Sequence, residues 1–285
     1  MCSLAGVSRA GYYRHWLASR PKQEETALRD RLQCVALANR HYGYRRLTAE
    51  LKREGWAVNH KRVLRMARED NLLCLRRRAF VPQTTQSKHR FKVYPNLARR
   101  LETTAPNQLW VADITYIRLD EAFVYLAVIL DAFSRRIVGW ALDNHLKASL
   151  ALSALHMALR TRIVIAGALI HHSDRGVQYA CSDYIAELAL HGIQPSMSRP
   201  GCPYDNAMAE SFMKTLKQEE VDATTYRDIH HVREAISEFL ETVYNRKRLH
   251  SALGYRPPNE YEIFSTEPQW AAAQQPIEAL VQQCP

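Results

Sequence analysis

Leu109-Trp110-Val111-Ala112-Asp113-Ile114-Thr115-Tyr116-Ile117-Arg118 is the stretch on which the reading of this chain turns. Its side chains alternate around Trp110, Ile114 and Tyr116, which predicts a β-strand. One acid, Asp113, stands inside it, and a carboxylate in an apolar strand is costly to bury unless something pairs with it. Downstream, the apolar run Phe123–Leu130 predicts a buried strand, and Arg136–Leu142 predicts a third, joined by the polar turn Asp131–Arg135. Residues 147–160 predict a helix, Ala168–His172 a fourth strand, 179–191 a helix and Gln194–Ser198 a short strand. Helices over 206–219 and 229–245 follow. A meander of three strands and then alternating helix and strand predicts an α/β domain with a mixed sheet.

The sequence before this domain is of another kind. The 285 residues carry 39 Lys and Arg against 29 Asp and Glu, a formal charge of +10. Residues 1–100 account for 23 of the cations and only 7 of the acids, so a front of net +16 precedes a rear of net −6. Such a block favours a polyanion, because neutralising phosphates releases counterions, and its cations are mostly arginine. Leu28, Leu32, Val35 and Leu37 give residues 24–40 helical spacing. After Tyr42-Gly43-Tyr44-Arg45-Arg46, Leu47 and Leu51 begin a second helix that Gly55 is placed to end. Asn59 can cap a third, with Val63, Leu64 and Met66 on its apolar side and His60, Lys61, Arg62, Arg65 and Arg68 as its polar residues. This pair is either a helix-turn-helix with a basic recognition helix or a plain helical hairpin with a solvated face.

Residues 76–105 are basic, poor in pattern and broken by Pro82 and Pro95, and read as a linker able to lie along a nucleic-acid backbone. No apolar run reaches membrane-spanning length and no secretory signal opens the chain. The six cysteines lie far apart without a CxxC pair, which argues against a disulfide framework or a zinc site.

Two more acids share Asp113's prominence. Asp174 follows the fourth strand in His171-His172-Ser173-Asp174-Arg175-Gly176, and ligands of α/β sheets bind at the carboxyl ends of strands. Glu210 lies one turn into a helix, with Lys214 and Lys217 at i+4 and i+7. Taken singly, Asp113 could pair with a buried arginine, Asp174 could cap a turn and Glu210 could pair with the lysines. Taken together they can converge on divalent cations, which bind shared carboxylate oxygens and clamp phosphoryl groups.

Asp174 and Glu210 have 35 residues between them, a spacing that resembles the DDE transposases and retroviral integrases. HHSDRGVQY (171–179), SRPGCPYDNAMAESF (198–212) and YNRKRLHSALGYRPP (244–258) resemble the second-reading-frame (OrfB-type) transposases of the IS-three insertion-sequence family, as does YGYRRLTAELKREG (42–55). The resemblance spans about residues 3–263. It implies a ribonuclease-H-like integrase catalytic core, a mixed five-stranded sheet with flanking helices over 106–265, preceded by a helix-turn-helix-like region over 1–75 and followed by a tail over 266–285.

It also implies Mg²⁺- or Mn²⁺-dependent cleavage at element ends and strand transfer, with two ions held by Asp113, Asp174 and Glu210. Lys214, Lys217 and Asn206 match positions that contact DNA at the site. Lys61, Arg62, Arg65, Arg45 and Arg46 are the expected contacts of the basic region. The expected partners are double-stranded DNA (element ends and target), further copies of the chain, and an upstream-frame DNA-binding product joined by frameshifting. The expected setting is the bacterial cytoplasm at the nucleoid. Gly6, Ser8 and Tyr12 resemble the second half of a helix-turn-helix whose first half would belong to that upstream product. His171 and His172 are read as alternating at a strand end, one of them facing inward beside the site, and not as bases. The competing readings are a nuclease on the same fold and an inactive element remnant that only binds DNA.

Overall fold

A computed structural model of the chain describes residues 8, 10, 23–74, 91–99, 101–119, 122–199 and 202–266. The expected half-motif around Gly6, most of the linker and the tail beyond 266 lie outside these residues. Two compact units divide at Arg76.

The first unit holds α1 (Gln23–Ala38), α2 (Tyr44–Arg53) and α3 (His60–Glu69). Asn59 caps α3 as expected, its Oδ1 accepting from the Lys61 amide at 2.8 Å. Gly55 ends α2 at φ +91°, where a side chain would be strained. Leu28, Leu32, Leu47, Leu51, Val63 and Met66 form the core between the helices. Leu37 instead faces solvent, 64% exposed, because the buried stripe of α1 runs on through Val35 to Ala36.

The second unit is built on one sheet, ordered β3-β2-β1-β4-β5. Its strands are β1 (Leu109–Arg118), β2 (Phe123–Asp131), β3 (Ile137–Asp143), β4 (Ile170–Ser173) and β5 (Gln194–Met197). The first three form the antiparallel meander, while β4 pairs parallel to β1 and β5 parallel to β4. With helices on both faces, this is the ribonuclease-H-like arrangement that the resemblance implied.

Strand alternation divides the core. Leu109 and Val111 pack on one face with Phe212 and Leu216 of α7 (Ala207–Glu219) and with Val232 and Ile236 of α8 (Ile229–Ser237). Trp110 and Ala112 pack on the other with Ala154 and Leu155 of α4 (Ala148–Thr161) and with Tyr184 and Leu188 of α6 (Ser182–Leu190). Gly139 on β3 lets α4 approach closely: a Cβ there would come 2.2 Å from the Ala154 carbonyl oxygen.

Three elements depart from expectation. The helix expected over 179–191 is two, α5 (Val177–Ala180) and α6, separated by Cys181 in extended backbone. The helix expected over 229–245 leaves α geometry at Glu238 and continues as a π-helix to Lys247. A last helix, α9 (Pro258–Thr266), was not foreseen. Its Glu262 is buried and accepts from Ser134 Oγ at 2.6 Å, Arg136 Nη1 at 2.9 Å and Arg162 Nη1 at 3.1 Å, tying α9 to the β2–β3 turn and the end of α4.

Candidate active site

Sheet register brings the first two acids together. Val111 of β1 pairs with His172 of β4, and Asp113 and Asp174 each lie two residues further on. They stand at the same level on adjacent chains, just where β4 ends and β1 continues without it. An amide fixes one oxygen of each: Ile114 N donates to Asp113 Oδ1 at 2.9 Å, and Gly176 N to Asp174 Oδ1 at 2.8 Å. A Cβ at position 176 would come 2.9 Å from that same Asp174 oxygen, so a side chain there would push the carboxylate from its place.

The third acid arrives on α7. Asn206, buried just before this helix, donates from Nδ2 to the carbonyl oxygen of Ala112 at 3.2 Å, which fixes the helix start against the residue preceding Asp113. Glu210 follows one turn later. The approach is braced by Asp205, whose carboxylate accepts from Arg199 N and Nε, both at 2.9 Å; the guanidinium holds its pKa far below the usual range. At its far end α7 is held by Glu219, which accepts from Arg248 Nε and Nη2 at 2.8 Å each. Sequence reasoning missed this pair, because nothing local links positions 29 residues apart.

The three acids lie within electrostatic reach of one another. The Asp113 carboxyl is pushed up to about 7, first by burial and then by the charges of Asp174 and Glu210, against the Ile114 amide and Lys217. Burial also raises Glu210. Lys217 is half-buried, its Nζ 4.7 Å from the centre of the Tyr116 ring, and burial lowers its pKa. Lys214 is exposed. Among the described residues no three His, Cys, Asp or Glu side chains are close enough to ligate one ion together. The donor set nonetheless suits hard cations: it is all carboxylate, and its most buried member resists ionisation for want of positive charge.

Both histidines are buried and used internally. His171 shares a 2.9 Å hydrogen bond with Tyr184 Oη, and burial drops its pKa to about 3. His172 lies between Ser196 Oγ at 2.8 Å and Ser198 Oγ at 3.0 Å, its pKa also lowered by burial. Neither is available as a base.

The remaining expected DNA contacts lie in the first unit. Lys61 and Arg62 are exposed on α3. Arg65 is engaged by Glu25 and Glu69, each at 3.1 Å. Arg45 and Arg46 lie over the rings of Tyr44 and Tyr42, at 5.8 and 5.6 Å.

A mixed sheet with one carboxylate on its central strand, a second just past the end of the neighbouring strand and a third on a helix pinned beside the first is the arrangement of an integrase-core, DDE-type polynucleotidyl transferase. Residues 103–203 and 191–258 each match an integrase core domain family, and residues 22–80 match an HTH-like domain family. The chain is 41% identical over 263 residues to the insertion element IS600 uncharacterized 31 kDa protein of Shigella sonnei, covering 90% of this chain and 96% of that one. It is 36% identical over 269 residues to the transposase InsF for insertion sequence IS3A of Escherichia coli strain K12, covering 92% of each. Among solved structures, a chain of the simian T-cell lymphotropic virus intasome in complex with PP2A regulatory subunit B56 gamma gives a TM-score of 0.49 at 16% identity, covering 84% of this chain and 75% of that one. The catalytic core domain of BIV integrase gives 0.42 at 16% identity, covering 59% and 99%. This chain belongs to the IS3 family of insertion-sequence transposases.

Proposed function

We propose that the chain cleaves the ends of its element and joins them to target DNA in a reaction dependent on Mg²⁺ or Mn²⁺, with Asp113, Asp174 and Glu210 holding two ions between them. The observation that carries this is Asp113, a strand carboxylate held close to neutrality by burial and by two further acids. Bound cations would invert the charge of the site, draw in phosphate and activate the attacking hydroxyl. The chain's own residues fix the acids: the Ile114 and Gly176 amides orient two carboxylates and Asn206 sets the helix of the third. Lys217, lodged on Tyr116 beside the acids, and Lys214, exposed one turn earlier, are suited to the phosphates of the entering strand.

Purified Asp113→Asn, Asp174→Asn and Glu210→Gln should each lose cleavage and strand transfer while keeping the circular dichroism of the parent. Substantial strand transfer by any of them refutes the assignment. We further propose that the protein works as a multimer on DNA at the nucleoid and is completed by the upstream-frame product. The same assay on end and scrambled DNA, with the chain alone and fused to that product, tests completion: equal discrimination by both forms rejects it.

A further inference from the structure

The hairpin of β1 and β2 carries an aromatic surface that the three acids do not use. β4 pairs with β1 only as far as Val111, so β1 runs on past the end of β4 with first Asp113 and then Tyr116 along it. Register sets Tyr116 opposite Tyr125 and Arg118 opposite Phe123, and residues paired in this way project from the same face. Phe123, in the last of these pairs, is 50% exposed. It meets Tyr116 diagonally, with ring centres 5.6 Å apart and planes at 77°, so the contact is edge-to-face and neither ring is stacked on the other. Tyr116 is in turn met by Lys217, whose Nζ lies 4.7 Å from its ring centre. Alternation puts Tyr116 on the face of Trp110 and Ala112, whereas α7 packs on the other, so Lys217 bridges the two where β4 has ended.

An exposed ring flanked by cations, on the sheet of a DNA transposase, suits a nucleobase. The ring stacks on the base, while Lys217 and the exposed Arg118 suit its phosphates. Bases inside a duplex are already stacked on both sides, so the fit is to an unpaired base. Tyr116 and Arg118 lie three and five residues beyond Asp113 on β1. At ~3.3 Å per residue that is ~10–17 Å, or ~3–5 nucleotides of a strand. We propose that Phe123, backed by Tyr116, is a stacking platform for an unpaired base of the DNA strand that enters the acid site. The inference rests on the chain acting on DNA and not on cations at the acids, so its test is run in EDTA.

The full chain is titrated with two probes: a fully paired duplex, and the same duplex with a short mismatched tract that holds 2-aminopurine. Whatever the basic region adds to one probe it adds to the other, so the ratio of affinities isolates the unpaired bases. The parent should prefer the mismatched duplex and quench its 2-aminopurine fluorescence. Phe123→Leu keeps an apolar side chain at a half-exposed position and leaves the core intact. It should lose about 5-fold or more of the preference, the worth of one base stacked on an aromatic ring. Phe123→Trp should retain both preference and quenching. No preference in the parent, or an undiminished preference in Phe123→Leu, overturns the proposal. So does a Phe123→Leu chain that changes only its oligomeric state, which would assign the ring to a second copy. The reading of the three acids stands or falls separately, on strand transfer by Asp113→Asn.

Discussion

At the scale of single residues, Asp113 makes the clearest demand. Its carboxyl titrates from the ordinary 3.8 up to about 7 in the folded chain. Between those values the native state holds a proton that the unfolded chain has released, so unfolding free energy falls as pH rises. Below about 4 both states are protonated and the penalty vanishes; above about 7 it is complete, on the order of 4 kcal/mol. In EDTA, Asp113→Asn should therefore gain thermal stability relative to the parent, by an amount that grows from pH 4 to pH 7. A constant difference would contradict the shift. Asp113 was legible beforehand because an acid inside Val111-Ala112-Asp113-Ile114 has no ordinary reason to be there. Asn206, which the resemblance sets at DNA, also donates its amide to a backbone carbonyl, an interaction between positions 94 residues apart that sequence spacing cannot show.

At the scale of elements, strands were read well and helices less so. Side chains of β1 alternate between the two packed faces of the sheet, and its expected bounds match those observed. The π-helix was read as α because both give a periodic apolar face. Yet its buried residues Phe239 and Leu240 are followed by Tyr244 and Asn245, a step of five where an α-helix steps by three or four. That lengthened step is the signal that could have revealed it. The geometry of α7 rests on both its ends, and the end distant from Glu210 can be tested alone. Arg248 and Glu219 are 6% and 11% exposed, so Arg248→Met takes the guanidinium from a buried carboxylate and should cost about 3–5 kcal/mol in chemical denaturation. Adding Glu219→Leu should recover much of that loss. If the double variant is no better than the single, the loss is one of packing and not of charge.

At the scale of the whole chain, the division of charge predicts a division of labour. In the first unit Arg29, Arg31 and Arg65 are engaged by Glu25, Glu54, Glu69 and Asp70, while Lys61, Arg62 and Arg68 are exposed on α3. A fragment beginning at Phe91 keeps the segment whose Leu97 amide donates to Ser196 Oγ at 2.8 Å, and holds 19 Lys and Arg against 22 Asp and Glu. It should bind duplex DNA far more weakly than the parent and with a flatter salt slope, since log K falls by about 0.9 per phosphate neutralised. Equal affinity at matched salt would show that the basic region is dispensable.

The position of Glu262 has a consequence for how such a gene decays. Polypeptides are made and fold from the N-terminus, so the acceptor that draws Arg136, Arg162 and Ser134 together is translated after every acid of the site. A stop codon just ahead of Pro258 would leave the first unit whole and all three acids encoded, but with Arg136 and Arg162 lacking the carboxylate between them. A lesion there should thus lower the stability of the second unit while the reading frame still encodes Asp113, Asp174 and Glu210.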